Sequence, residues 1–249
     1  MNIKKIKEHY SEERQYQQRI DLATKDYNGK LYTYNFIKSV SLLAPYRRGE
    51  RVVDIGCGFG YLVHFLPSYV EAYGVDFSPS ALTIAKNFRN LIEVQTDAHN
   101  LPFKNESFDK LFCMNLTPHL LNLNKALKEF LRILKPNGLA VINFLNKYGL
   151  INIPYTIFNI KLGLYFNHNI MTPSPQNCFS THEMIRIISK AGFKPLATYG
   201  WGISFPHFLG KKIPQVAYKT NDLMIKYQNS PLIKFLSNAI TFKVRKTDG

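Results

Sequence analysis

Acidic residues and cysteines are both scarce in this chain. Of 249 residues only 17 are Asp or Glu against 32 Lys or Arg, which sets the formal net charge at +15. The hydrophobic fraction, 45%, is too high for a disordered chain of that charge and is enough for one large core or two modest ones. Cys57, Cys113 and Cys178 stand far apart with no CxxC or Cys/His ligand spacing. That excludes a disulfide framework and a structural zinc site, and it fits a reducing cytoplasm. Long apolar runs are missing too. The stretch 149–160 is about a dozen residues interrupted by Asn and Pro, short of the roughly 20 that span a bilayer. The opening MNIKKIKEHYSEERQYQQR is charged from its fourth residue and has no apolar centre, so it does not read as a signal peptide.

The positive charge is unevenly placed. Residues 1–50 carry a net +4, 51–146 carry +1 and 147–249 carry +10. A basic C-terminal part suits an anionic partner, whether RNA, an anionic small molecule or a lipid head group. Richness in Lys, Asn, Ile and Tyr, the signature of an AT-rich genome, accounts for part of the same excess.

Residues 51–146 read as repeated strand, turn, helix units. Arg51–Ile55 is a β-branched run that ends in Gly-Cys-Gly-Phe-Gly, and 61–69 carries Leu62, Val63, Phe65 and Leu66 at helical spacing. Strands follow at 72–76, 91–95, 108–114 and 139–144, with helices at 81–87 and 120–134, the latter closed by Pro136-Asn-Gly138. This alternation predicts a parallel sheet covered on both faces. Beyond 146 the rhythm breaks. Residues 147–180 and 204–238 are irregular and aromatic, a lid or substrate wall. Between them Thr181 caps a helix to Ala191, a sixth strand spans 195–203, and 241–245 is a terminal strand. The reading is a helical cap at 1–50, a ligand-binding core at 51–146, and an acceptor and lid region at 147–249, all within one domain.

The chemistry concentrates at strand ends. Asp54-Ile-Gly56-Cys57-Gly58-Phe-Gly60 places glycines where a ligand can approach the backbone, and the helix that follows offers free N–H groups. A dinucleotide fingerprint needs a third glycine where Tyr61 stands. An acid two residues before the glycines suits a cationic amino group better than a pyrophosphate. Asp76, followed by Phe77, ends the second strand, where a carboxylate takes ribose hydroxyls. Asp97-Ala98 follows the third strand and is placed for an adenine amino group, and Asn115 ends the fourth. Four strand ends thus converge on one ligand that is part nucleoside and part amino acid. Cys57 reads as a small packing residue within the turn.

With VVDIGCGFG at 52–60, YGVDFSPSAL at 73–82, DAHNLPFKNESFD at 97–109 and LRILKPNGLAVINF at 131–144, the chain resembles class I S-adenosylmethionine-dependent methyltransferases of the ubiquinone/menaquinone-methylase-like group. The resemblance covers 51–146, with a weaker echo at 179–193. It implies an α/β, Rossmann-like, doubly wound sheet of seven strands, the last antiparallel. It assigns the methionine moiety of S-adenosylmethionine to Asp54 and the glycine turn, the ribose to Asp76 and the adenine to Asp97-Ala98. The group's N-terminal tyrosine pattern is echoed by Tyr10 and Tyr16, with Tyr16 the candidate for the cofactor and Tyr27, Tyr32 and Tyr34 competing for the role.

Methyl transfer from a sulfonium is an in-line displacement, so alignment and exclusion of water matter more than any one catalytic group. A general base is needed where the acceptor is a hydroxyl or phenol. His119, in the loop leaving the fourth strand, is the first candidate, and His168 and His207 lie in the two insertions. The aromatics Tyr148, Tyr155, Phe158, Tyr165, Phe166, Trp201, Phe205 and Phe208 suit a planar or apolar acceptor pocket. Base-amino methylases carry an Asn/Asp-Pro-Pro-aromatic run after strand four, and here Asn115-Leu-Thr-Pro118 keeps the Asn alone. The leading expectation is a small-molecule methyltransferase, with an RNA methyltransferase second. An NAD-dependent oxidoreductase and a non-catalytic cofactor-binding protein rank below. Oligomeric state is not encoded in any motif.

Overall fold

The computed structural model describes residues 37–87, 91–149, 178–201 and 226–247. β1 (Arg51–Ile55), β2 (Glu71–Asp76), β3 (Leu91–Gln95), β4 (Phe108–Cys113) and β5 (Leu134–Asn146) pair in parallel. β7 (Phe193–Trp201) lies beyond β8 (Ala239–Lys246), which runs antiparallel to both β5 and β7. The order is β3-β2-β1-β4-β5-β8-β7. The seven-stranded sheet with its last strand antiparallel is therefore present. An eighth piece, the two-residue β6 (Cys178–Phe179), pairs with the end of β5.

Alternation along each strand divides the core into two layers. Val53 and Ile55 of β1, Leu111 of β4, and Ile142 and Phe144 of β5 pack with one set of helices, while Val52, Phe112 and Val141 face the other way. The first layer is closed by α4 (Leu123–Ile133), which buries Leu123, Ala126, Leu127, Phe130 and Ile133 at helical spacing. Met184 and Ile188 of α5 (Thr181–Lys190) complete it. The second layer holds Val40 of α1 (Lys38–Ser41), Leu62 of α2 (Tyr61–His64) and Trp201. α3 (Pro79–Ala85) starts at Ser78, whose hydroxyl accepts from the Ala81 N–H with Pro79 at the first helical position. A last short helix, α6 (Pro231–Leu236), packs beside β7.

Several boundaries differ from the sequence reading, each for a local reason. α2 is one turn rather than a helix to 69, because Pro67 has no N–H to continue it and the Phe65 and Leu66 N–H groups bond three residues back. α4 begins at Leu123, not 120, because the Asn122 side chain caps it by accepting from the Lys125 N–H. α5 is capped by Ser180 rather than Thr181, since Glu183 stands three residues after Ser180 and closes a capping box. β5 is paired from Leu134, and the 135–138 bulge, with Asn137 at φ 58°, absorbs the register shift against β4. Most of the 1–50 cap and of both insertions lies outside the described residues. Among the described residues no helix is long and apolar enough to cross a membrane.

Candidate functional site

Because β3, β2 and β1 lie on one side of the β3-to-β4 crossover and β4 and β5 on the other, the carboxyl ends of β1 and β4 diverge at a switch point, the usual crevice of such sheets. Asp54, the glycine turn, Asp76, Asp97 and Asn115 all stand at that edge. A shallow open groove of about 500 Å³, lined by Gly49, Tyr69, Glu71 and Ile92 among others, lies at the opposite, amino edge and holds none of them.

Gly56, Gly58 and Gly60 all have positive φ, at 77°, 51° and 75°, which only glycine adopts without strain. A Cβ on Gly56 would meet Leu116 at 3.0 Å, whereas one on Gly58 would meet nothing within 4 Å, so the turn is packed from below and open above. Its amides are already committed. The Gly56 and Cys57 N–H groups donate to the Val75 carbonyl, Gly60 N–H to the Cys57 carbonyl, and Gly58 N–H to Asp76 Oδ2 at 2.9 Å. The free N–H groups expected of the helix that follows lie beyond these four residues, and the turn itself is poorly suited to a phosphate. It is a shaped, neutral floor.

Beside it, Asp54 is 4% exposed and its Oδ1 has no hydrogen-bond partner among the described residues. Burial, reinforced by the nearby Asp76 charge, pushes its carboxyl up to about 8. A buried acceptor without a partner is costly, and a cationic group would satisfy both the geometry and the charge. Asp76 is the better-supported acid, since its Oδ1 accepts from the Ser78 N–H at 2.9 Å while Oδ2 holds Gly58. Each carboxylate oxygen retains lone-pair capacity beyond one bond, so the same side chain can hold the turn and take a hydroxyl. The Cys57 thiol is buried, and burial first, then the two aspartates, pushes it well up, so it stays protonated and packs, as its sequence context suggested.

Asp97 lies in a half-exposed loop beside Ala98, which is buried in the first core layer. Its Oδ1 accepts from the His99 N–H at 2.9 Å and meets His99 Nδ1 at 2.5 Å. Asn115 follows β4 with φ 57°, an Asn-tolerated left-handed turn. His119 closes a 3₁₀ turn, Thr117–His119, that leaves the same edge. Phe77 is half-buried after β2. Trp201 is buried in the second core layer rather than lining an open pocket, and Tyr148 is exposed. Tyr16, His168 and His207 lie outside the described residues, as do Tyr155, Phe158, Tyr165, Phe166, Phe205 and Phe208. Among the described residues no group of three or more His, Cys, Asp or Glu is placed to hold a metal ion.

Two features escaped the sequence reading. One is His99, whose Nε2 accepts from the Asn122 N–H at 3.2 Å. The other is Asn143, 1% exposed in the middle of β5, where Nδ2 donates to Thr241 Oγ1 at 3.1 Å and Oδ1 has no partner among the described residues. An Asn inside Val-Ile-Asn-Phe was the visible signal, because an amide in a buried strand has to be explained.

A glycine turn, a buried carboxylate unsatisfied among the described residues and two further acids thus lie along one sheet edge. Residues 53–142 match the methyltransferase domain model. An uncharacterized protein of Methanocaldococcus jannaschii is 34% identical over 158 residues, which is 62% of this chain and 60% of that protein. Demethylmenaquinone methyltransferase of Staphylococcus aureus is 36% identical over 106 residues, 38% of this chain and 43% of the enzyme. The crystal structure of a S-adenosylmethionine-dependent methyltransferase from Thermotoga maritima, 21% identical, superposes with a TM-score of 0.65 over 93% of this chain and 95% of that one. The 53–142 region is therefore similar to methyltransferase domains, and the sheet shares its fold with an S-adenosylmethionine-dependent methyltransferase of known structure. The chain spans three-fifths or less of the length of these curated relatives.

Proposed function

We propose that this protein transfers a methyl group from S-adenosylmethionine to an oxygen, nitrogen or carbon atom of a small-molecule acceptor. The observation that carries the reading is the buried Oδ1 of Asp54, unpartnered among the described residues, beside a turn in which the Gly56, Cys57, Gly58 and Gly60 amides are already bonded. When bound, S-adenosylmethionine supplies an electrophilic methyl carbon on a sulfonium. Asp54 would receive its amino group, Asp76 the ribose hydroxyls and the Asp97-Ala98 segment the adenine. The remaining work of the chain is alignment and exclusion of water.

Asn143 supports the small-molecule acceptor. Val52 and Asp54 alternate onto the same sheet face as Val141 and Asn143, two strands away. From strand spacing and rise, the Cα atoms of Asp54 and Asn143 are about 12 Å apart. Asn143 Oδ1 only accepts, so the acceptor it suits presents an N–H or O–H. Among the described cations, Lys194 and Arg245 face each other and Lys246 follows at the amino edge of the sheet, about 13 Å along the strands from the Asn143–Thr241 row, whereas Lys147 follows the carboxyl end of β5 and Lys234 lies on α6 beside Asn146. The unpaired Cys57, Cys113 and Cys178 suit a cytoplasmic site of action.

Calorimetry tests the reading. S-adenosylhomocysteine should bind at one per chain, and Asp76→Ala should weaken it about 100-fold through loss of charge-assisted bonds to turn and ribose. Absence of binding overturns the function. Label from tritiated S-adenosylmethionine should enter the small-molecule fraction of a cell extract, and label in the RNA fraction instead overturns the acceptor class.

A further inference from the structure

The loop that carries Asp97 and Ala98 is held along its length by α4. Leu101 N–H donates to Glu129 Oε2 at 2.9 Å, while Arg132 donates to the carbonyls of Leu101 and Phe103 at 2.9 and 2.6 Å and to Asn105 Oδ1 at 3.0 Å. Glu129 and Arg132 are themselves paired. These bonds fix residues 101–105. Closer to the site Ala98 packs in the core layer that α4 closes, and a hydrogen-bonded connection is made by His99, whose side chain is 14% exposed.

His99 has one partner on each ring nitrogen. The Asn122 N–H can only donate, so Nε2 must present its lone pair, and the ring proton then sits on Nδ1, where it donates to Asp97 Oδ1. The ring is a neutral imidazole that joins the α4 cap residue to the Asp97 carboxylate. Asn122 is in turn fixed by the side-chain cap it places on Lys125. On the other side, the Thr96 N–H donates to the Asp76 carbonyl at 3.1 Å, and the Asn100 N–H donates to the Asp97 carbonyl at 2.9 Å. Asp97 therefore stands between β2, which bears Asp76, and α4, with His99 as the strut on the α4 side.

We propose that His99 is a positioning residue for the cofactor's nucleoside half, orienting Asp97 by tying its carboxylate to the N-terminus of α4. The proposal rests on the methyltransferase reading above. It assigns His99 no contact with the ligand, because both ring nitrogens are already engaged within the chain. Its effect reaches the ligand through one oxygen of Asp97, and the His99 N–H bond to that oxygen survives any side-chain change.

Two substitutions separate the two ends of the strut. In His99→Asn the side-chain amide nitrogen stands where Nδ1 was, keeping the bond to Asp97 and losing that to Asn122. His99→Gln places an amide oxygen where Nε2 was, keeping Asn122 and losing Asp97. With S-adenosylhomocysteine as the probe on the full chain, His99→Gln should weaken binding about tenfold with a thermal midpoint close to the parent's. His99→Asn should lower the midpoint while holding affinity within about threefold. In an Asp97→Ala background His99→Gln should add no further loss of affinity, because its route to the ligand is already gone.

A merely structural histidine would make affinity and midpoint fall together in both variants, and that result overturns the proposal. So does a His99→Gln penalty that persists undiminished in the Asp97→Ala background, or a His99→Gln protein that binds like the parent. If the parent chain itself fails to bind S-adenosylhomocysteine, the function fails first and this role falls with it.

Discussion

Asp54→Asn should remove most of a pH-dependent destabilisation of the ligand-free protein. The Asp54 carboxyl moves from 3.8 to about 8 on folding, because burial disfavours its charge and Asp76 repels it. Below pH 4 the group is protonated in both folded and unfolded chains and nothing is lost. Between about 4 and 8 the unfolded chain has released this proton while the folded chain still holds it. Stability therefore falls as pH rises, by up to about 1.4 kcal/mol per unit, until the folded carboxyl ionises near 8. Over the whole window the loss is roughly 5 kcal/mol, a large share of the 5–15 kcal/mol that typically holds a domain together.

Asparagine keeps the shape and cannot ionise, so urea titrations of the two proteins from pH 5 to pH 8 should diverge. The stability of Asp54→Asn minus that of the parent should grow by about 4 kcal/mol across those three units. All other titrating groups are common to both proteins and cancel. Saturating S-adenosylhomocysteine should oppose the parent's decline, since its amino cation takes over from the proton, and the parent's affinity should rise with pH up to tenfold per unit below 8. A difference that stays constant within about 1 kcal/mol from pH 5 to 8 would refute the argument, because it would mean that Asp54 is already ionised and partnered.

The glycine turn should separate stability from binding. Gly58→Ala, at φ 51° with open space above, should cost only about 1 kcal/mol of stability yet weaken S-adenosylhomocysteine by at least about tenfold, since its methyl intrudes where the ligand rests. Gly56→Ala must also displace Leu116 and should cost about 2–3 kcal/mol, read from denaturation midpoints, and equal costs at the two positions would contradict the packing described. Asn143→Leu should leave S-adenosylhomocysteine affinity within about twofold while slowing methyl transfer at least about tenfold, and a parallel fall in both would remove Asn143 from the acceptor side.

What could be seen in the sequence is what local constraint decides. β-branched runs next to glycines that need positive φ mark β1 and its turn without reference to any distant residue, and Ser78-Pro79 marks the start of α3 in the same way. The acids at the strand ends follow, because a strand's carboxyl edge is fixed once the strand is. Even the errors at this level had local signals. Pro67 was visible inside the apolar pattern that suggested a longer α2, and the Ser-x-x-Glu spacing at 180–183 distinguished Ser180 from Thr181 as a cap. The commitment of the turn's amides was not visible, since Gly56, Cys57 and Gly58 reach 18 or 19 residues along the chain to Val75 and Asp76.

The same distinction explains why the cofactor side of the site is more legible than the acceptor side. The residues assigned to the nucleoside and amino acid all fall between β1 and the end of β4, one strand-turn unit after another. The proposed acceptor side depends on pairings across the sheet such as Asn143 with Thr241, 98 residues apart, and on the cofactor side a long-range link, the His99–Asn122 bond spanning 23 residues, went unread for the same reason. Only the folded arrangement shows that Asn143 shares a face with Asp54 and that its oxygen lacks a partner among the described residues. Charge behaves likewise. The net +10 of residues 147–249 suggested an anionic acceptor, but Lys194, Arg245 and Lys246 are carried by the antiparallel pair to the amino edge, away from the carboxyl edge where Asp54 and Asp76 lie. For these three cations the antiparallel direction of β8 decides the matter, because it takes a chain segment that starts beside the site at Ala239 and delivers its basic end to the far side of the sheet.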